Sequence, residues 1–365
     1  MRALFYLTDT AWSGAARAFF VAARGLATRG HVSTIACVEG TLLQRRAGEE
    51  GLETLTVSDP TAAVGTMTDL RHALRERFVE VVFVTNERDQ FLVSSALRLA
   101  ERGAVIRRVP FLEGLDTPPG GRLARLIASA GLLVSSEREA QRAQASAWAI
   151  PPTIAPLGVD VSAYDGPSPT PRHELGVPGD ALVLACVYEP TARQRVATLF
   201  RTLSLLAPRH PELRAILVGP GSRDEDLRMH ATALGVSSVV TFLGERVDEM
   251  NALRAANVGW VVAGGDTGAF ACLDVMALRL PLIAERWPVA QHFISDGITG
   301  VLLAPGDAAH TASQVAAFLA HEDQRIAMGN AGRARVQREF PESAMIDGFE
   351  RALEVASDRA KWAVK

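Results

Sequence analysis

Gly264-Gly265-Asp266-Thr267-Gly268-Ala269-Phe270-Ala271-Cys272-Leu273-Asp274-Val275-Met276-Ala277 carries the strongest local pattern in the chain. The apolar run Val258–Ala263 leads into it, breaks at two glycines and gives way to a helical pattern, so it reads as strand, tight turn, helix. Free amides at such a helix start attract an anion, and glycine lets a phosphate approach the backbone closely. Asp266 and Asp274 are separated by about 800° of helical rotation, about 80° from whole turns, so both can face one cleft, one at its mouth and one deeper. The plainer alternative makes Asp266 a helix cap and Asp274 a solvated residue. The flanking Leu273, Val275 and Met276 are an odd setting for a solvated charge.

The same alternation runs outward along the chain. Before residue 150, strand-like runs at 2–7, 32–38, 53–57, 81–85, 105–112 and 132–135 alternate with helical stretches. Beyond residue 180, runs at 182–188, 215–219, 239–244, 258–263, 281–284 and 301–303 do the same. Between them lies the densest proline cluster, Pro151-Pro152, Pro156 and Gly166-Pro167-Ser168-Pro169-Thr170-Pro171, which reads as a linker. The expected architecture is α/β, with two doubly wound Rossmann-like domains and a ligand cleft at the carboxyl ends of the strands. The expected boundaries are 1–165, 166–340 and a C-terminal helix over 341–365 that packs back toward the N-terminal domain.

At 365 residues, 48% hydrophobic and 22% charged, the chain can bury two large cores without disulfide or metal staples. Of its 38 Lys+Arg, only Lys361 and Lys365 are lysine, which leaves 38 − 2 = 36 arginines. A Walker-type phosphate lysine and a Schiff-base lysine are therefore excluded, and any phosphate clamp must use arginine or backbone amides. The net charge of −3 argues against a dedicated nucleic-acid binder. Cys37, Cys186 and Cys272 lie far apart in apolar runs, as reduced thiols of a cytoplasmic protein do. The N-terminus is too short and too soon acidic for a signal peptide, and nothing is apolar for long enough to span a membrane.

The chain resembles the retaining GT-B glycosyltransferases of the GT4 type. Asp266 and Asp274 stand where that family has its Glu-(x)7-Glu motif. Leu280-Pro281-Leu282-Ile283-Ala284 follows, then Asp296-Gly297-Ile298-Thr299-Gly300 and Pro305-Gly306-Asp307. Arg29-Gly30-His31, Leu157-Gly158-Val159-Asp160, Leu217-Val218-Gly219-Pro220-Gly221 and Thr241-Phe242-Leu243-Gly244 are similar to further family elements in the same order. The resemblance implies a metal-independent transfer of sugar from a nucleotide-diphosphate sugar to an acceptor hydroxyl, with retention and no cofactor. It puts Asp274 on the ribose, Asp266 on the transferred sugar, and the backbone of Gly265, Thr267, Gly268, Ala269 and Phe270 by the diphosphate. Base contacts would come from the loops holding Gly219, Gly221 and Arg246, and Gly14 would face the donor from the first-strand loop.

Departures from the pattern shape the expected site. The family's phosphate arginine corresponds to Tyr188 and its lysine to Arg193, with Arg195 close by. Either one cation is missing or Arg195 supplies it; the alternative is that both arginines are solvated at the helix start. Asp274→Ala and Arg193→Ala are each expected to weaken binding or turnover at least about tenfold. The family's sugar-binding histidine is replaced by Glu113, a candidate catalytic residue or an ordinary loop carboxylate. Trp12 and Ser13 are candidates for the acceptor side, Trp12 as a platform or a plug. Ser135-Ser136-Glu137-Arg138 opens a helix with a serine that is either a cap or a ligand. An arginine excess over residues 102–142 would suit an anionic acceptor or peripheral contact with lipid headgroups, if it is not simply a solvated face. Two rival readings are a nucleotide-sugar-binding or regulatory protein without turnover, and a nucleotide-sugar epimerase.

Overall fold

The computed structural model describes residues 1–57, 63–111, 131–145, 151–166, 170–246, 249–304 and 306–363. They divide into two compact units, Met1–Leu157 together with Glu342–Lys365, and Gly158–Pro341. The expected fold class holds, since each unit is a parallel sheet interleaved with helices.

The first unit carries strands β1 (Arg2–Tyr6), β2 (Val32–Val38), β3 (Glu53–Val57), β4 (Val81–Val84), β5 (Ala104–Arg108), β6 (Gly131–Val134) and β7 (Pro152–Ile154). Their order is β3-β2-β1-β4-β5-β6-β7, all parallel. Helices α1 (Gly14–Thr28), α2 (Leu42–Glu49), α3 (Ala63–Glu76), α4 (Glu87–Ala100) and α5 (Glu137–Ala145) connect them. Central strands of such sheets are covered on both faces, which is why β4 is apolar without alternation and buried throughout. The segment read as a linker departs from expectation, because Pro152–Ile154 pairs with β6 as the seventh strand. Proline has no N–H to give a ladder, and β7 tolerates it at a sheet edge, at the strand's first residue.

Helix α13 (Glu342–Ala363) belongs to this first unit. Its Phe349 is fully buried and packs on Phe83 at 5.4 Å and Phe5 at 6.1 Å between ring centroids. Around that apolar anchor, Arg24 pairs with Glu342 at 2.9 Å, Arg29 with Asp347 at 2.6 Å and with Glu350, and His31 Nε2 meets Glu350 at 2.9 Å. The His31 hydrogen bond first, then Arg29, holds the Glu350 carboxyl below its usual pKa against the opposing effect of burial. A depressed carboxylate stabilises the fold above its unfolded pKa, and that contribution disappears as pH falls through the folded value. Wild-type protein should therefore lose melting temperature more steeply than Glu350→Gln between about pH 5 and about pH 3. Parallel curves for the two proteins would show that Glu350 contributes nothing.

The second unit carries β8 (Leu182–Val187), β9 (Leu213–Val218), β10 (Val240–Gly244), β11 (Val258–Val261), β12 (Leu282–Glu285) and β13 (Gly300–Leu303). Their order is β10-β9-β8-β11-β12-β13, again parallel. The helices are α6 (Arg193–Leu206), α7 (Glu225–Ala233), α8 (Glu249–Arg254), α9 (Gly265–Ala277), α10 (Pro288–Phe293), α11 (Ala308–Ala320) and α12 (Glu322–Glu339). α6 packs with α11, and α9 with α10 and α12. Trp260 on β11 and Phe200 on α6 are fully buried in the core. The strand order reverses between β8 and β11, and a crevice at such a reversal, outside the carboxyl ends of the strands, is where open α/β sheets bind ligands. Among the described residues, no helix is long and apolar enough to cross a membrane.

Candidate functional site

The carboxyl ends of β8 and β11 are joined across the reversal by side chains. Glu189, two residues beyond β8, accepts the backbone N–H of Gly264 at 2.6 Å and the Thr191 hydroxyl at 2.8 Å. Arg195, in the first turn of α6, donates through Nε to the Val262 carbonyl just past β11. Its guanidinium carbon stands 4.3 Å from the ring centroid of Trp287. A Cβ built on Gly264 would lie 3.1 Å from Arg195 Nη2, so the cation sits at the start of α9. That start has Gly264 as its cap residue, and glycine has no side chain with which to cap the first amides. Gly265 takes φ +47 and lies buried, as do Asp266, Gly268, Ala269 and Phe270, with Thr267 half-buried. Asp266 is 4% exposed in the first turn, where the helix dipole favours a carboxylate.

The two arginines of the expected phosphate pair separate. Residues two apart on a helix project about 200° from each other, so Arg193 and Arg195 cannot face one ligand together. Arg193 turns outward and pairs with Asp226 of α7 at 2.9 Å, with both side chains more than half exposed. Of the two alternatives read from sequence, solvation at the helix start describes Arg193, and a cation at the crevice describes Arg195. Tyr188, in the family's arginine slot, is fully buried among Ala192, Val196 and Leu217 and provides no charge.

The neighbouring loops are tied by backbone. Gly219 takes φ +120 and donates its N–H to the Gly244 carbonyl at 3.0 Å, while Gly221 takes φ +71. Ser222, fully buried, accepts the Gly244 N–H at 2.9 Å. Arg246 is half-buried just beyond.

Asp274 is not a solvated residue, being 2% exposed. It accepts the Tyr164 hydroxyl at 2.5 Å, from a 3-10 turn at Val161–Asp165. Arg333 of α12 fastens that turn through Asp165 at 2.5 Å and donates to the Ala277 carbonyl at 2.6 Å. With about 1.5 Å of rise per residue, Asp266 and Asp274 stand about 12 Å apart along α9, too far to contact the same group. Tyr164 is a site residue that sequence reasoning missed, because it lies 110 positions from its partner in a segment read as linker. Tyr164→Phe removes a hydrogen bond to a buried carboxylate and should destabilise the second unit by about 1.5–3 kcal/mol. Urea titration checks this, and a stability equal to wild type would contradict it.

In the first unit, Trp12 is 8% exposed, with Phe20 at 5.8 Å and the Arg46 guanidinium 4.1 Å over its ring. It is a plug within that unit, not an open platform. Ser13 caps α1, accepting from Ala16 N–H at 3.2 Å and donating to Asp9 at 2.9 Å, and Gly14 is the buried first residue of the helix. Ser136 caps α5, with Glu139 donating its N–H to the serine at 3.3 Å and its carboxylate accepting the serine hydroxyl at 3.2 Å, so this serine is a cap. Arg107 and Arg108 are buried in β5 and so cannot belong to a solvated basic face, and Arg107 meets Glu87 at 3.4 Å. Glu113 lies outside the described residues. Among the described residues, no group of three or more His, Cys, Asp or Glu is placed to hold a metal ion.

The fold and the crevice define a class, the GT-B chains with two Rossmann-like units. Residues 168–335, most of the second unit, match the family model described as glycosyl transferases group 1, and the expected resemblance to the GT-B glycosyltransferases is borne out. D-inositol 3-phosphate glycosyltransferase of Corynebacterium kroppenstedtii is 29% identical over 185 residues, 47% of this chain and 41% of that protein. The match thus spans less than half the length of that relative. A Corynebacterium glutamicum protein described as GDP-mannose-dependent monoacylated alpha-(1-6)-phosphatidylinositol monomannoside mannosyltransferase is 27% identical over 285 residues, covering 73% of this chain and 74% of its own. HepE of Anabaena, solved with UDP and glucose, superposes with a TM-score of 0.79 at 17% identity, covering 97% of this chain and 99% of its own.

Proposed function

We propose that this chain is a glycosyltransferase that moves a sugar from a nucleotide-diphosphate sugar to an acceptor hydroxyl, with retention and without a metal ion. The observation that carries the reading is the placement of Arg195 beside the glycine-opened start of α9, at the reversal between β8 and β11. As the sugar leaves, negative charge develops on the diphosphate. A fixed guanidinium and backbone amides stabilise it without reorganising. We assign that role to Arg195 in place of Arg193, with Asp266 toward the sugar and Asp274, held by Tyr164, toward the ribose. Glu113 is assigned, on its sequence position alone, to orient the sugar or the acceptor hydroxyl. The group 1 family match and the relatives named for sugar transfer support this reading.

Thermal shift with UDP, GDP, ADP and dTDP, followed by a donor-hydrolysis assay on the matching nucleotide sugars, tests it. A nucleotide present at about 100 times its dissociation constant should stabilise the protein by about 2.7 kcal/mol. No shift with any diphosphate would sink the donor site. Binding without hydrolysis or transfer would favour the regulatory reading, and an isomerised sugar formed without acceptor would favour the epimerase.

A further inference from the structure

We propose that Trp287 is a positioning residue whose ring holds the Arg195 guanidinium at the start of α9, in the geometry that a diphosphate needs. The inference rests on the donor-site reading above. Trp287 follows β12 and immediately precedes Pro288, which restricts it to extended backbone, and it takes φ −137 and ψ 162. Its side chain is thus launched from a fixed point. The ring reaches over two glycines. A Cβ on Gly268 would lie 3.3 Å from its Cη2 atom, and one on Gly264 would lie 3.9 Å from its Cζ3 atom. The guanidinium of Arg195 rests on the same ring at 4.3 Å, with Nε engaged by the Val262 carbonyl.

An arginine side chain samples many rotamers, and it must give up that freedom on gripping an anion. A stacked, hydrogen-bonded guanidinium has lost much of it before the ligand arrives. Tryptophan is also the best aromatic partner for a cation. Its presence has a cost that argues for function. The indole N–H is buried and has no hydrogen-bond partner among the described residues. An orphaned buried donor is unfavourable, and phenylalanine or leucine would avoid it. A residue kept for folding alone has no reason to bear that cost, whereas one kept for its ring face does.

Calorimetric titration of wild type, Trp287→Phe, Trp287→Leu, Arg195→Ala and the Arg195→Ala/Trp287→Leu double variant tests this, with UDP, GDP, ADP, dTDP and inorganic pyrophosphate as probes. Trp287→Leu should weaken diphosphate binding about fivefold to tenfold and Trp287→Phe by less, while both keep or raise the melting temperature. In the Arg195→Ala background, Trp287→Leu should have no further effect on binding, since its role runs through the arginine. Three results overturn the proposal: wild-type affinity in Trp287→Leu, an equal loss in both backgrounds, or a loss of affinity that merely follows a loss of stability. If wild type binds no diphosphate, the donor-site reading has failed and this inference falls with it. If wild type binds and Trp287→Leu is indistinguishable from it, only the inference has failed.

Discussion

Arg195→Ala is expected to weaken nucleoside-diphosphate binding at least about tenfold, about 1.4 kcal/mol, while Arg193→Ala leaves it within about twofold. The two residues are one position removed from being neighbours, share a charge and open the same helix, so the contrast isolates geometry. Arg195 is fixed by the Val262 carbonyl and the Trp287 ring, beside the first amides of α9. Arg193 is exposed, and its guanidinium is engaged with Asp226. A surface pair of that kind contributes little, so its loss should hardly register in stability either. Arg195→Lys should recover only part of the affinity, because an ammonium has no plane to stack on the indole and no fork to grip two oxygens. Isothermal titration of the three variants decides the matter. Equal losses for Arg193→Ala and Arg195→Ala would return the phosphate contact to the pair expected from the sequence.

Gly219→Ala should destabilise the second unit by about 2–6 kcal/mol, combining backbone strain with steric overlap. Gly219 takes φ +120, a conformation that side-chain-bearing residues rarely adopt, and an added Cβ would lie 2.2 Å from the Tyr188 carbonyl oxygen. That oxygen belongs to backbone held in register by the Tyr188 N–H donating to the Val218 carbonyl at 2.8 Å, so it cannot yield as a side chain tip could. The close approach is what lets the loop after β9 cross the end of β8 and reach β10 through the Gly244 carbonyl. Gly297→Ala is the matched control. It has φ +75 and nothing within 4 Å of the added carbon, so only the strain, about 1–2 kcal/mol, should remain. Urea denaturation of both variants measures the difference. Equal stabilities would show that the Tyr188 carbonyl moves aside freely.

Most of the fold was legible in the order of apolar runs. The expected strands at 81–85 and 182–188 contain β4 and β8, because a parallel strand buried on both faces must be apolar over its whole length. Edge strand β7 escaped notice for the opposite reason. Pairing on one side only, it tolerates proline and carries too few apolar residues to stand out. The helix start at Gly264–Phe270 could be read because its signal is local, a pair of glycines between a strand and a helical run.

The side chains that meet there were less accessible. The lysine deficit in the composition established that arginine or backbone amides must face any phosphate. It could not say which arginine, since Arg193 and Arg195 look alike in sequence and differ only by about 200° of helical rotation. Glu189, Trp287 and Tyr164 gave no signal, because each gains its meaning from a partner on another element. Two doubly wound units, the glycine-opened helix and the absence of a phosphate lysine were readable along the chain, for all of these follow from periodicity, local backbone freedom and composition. The folded chain sets Arg195, and not Arg193, beside the start of α9 and holds Asp274 on Tyr164. Those choices are made where separate elements pack, and packing distances are not written in the spacing of residues along the chain.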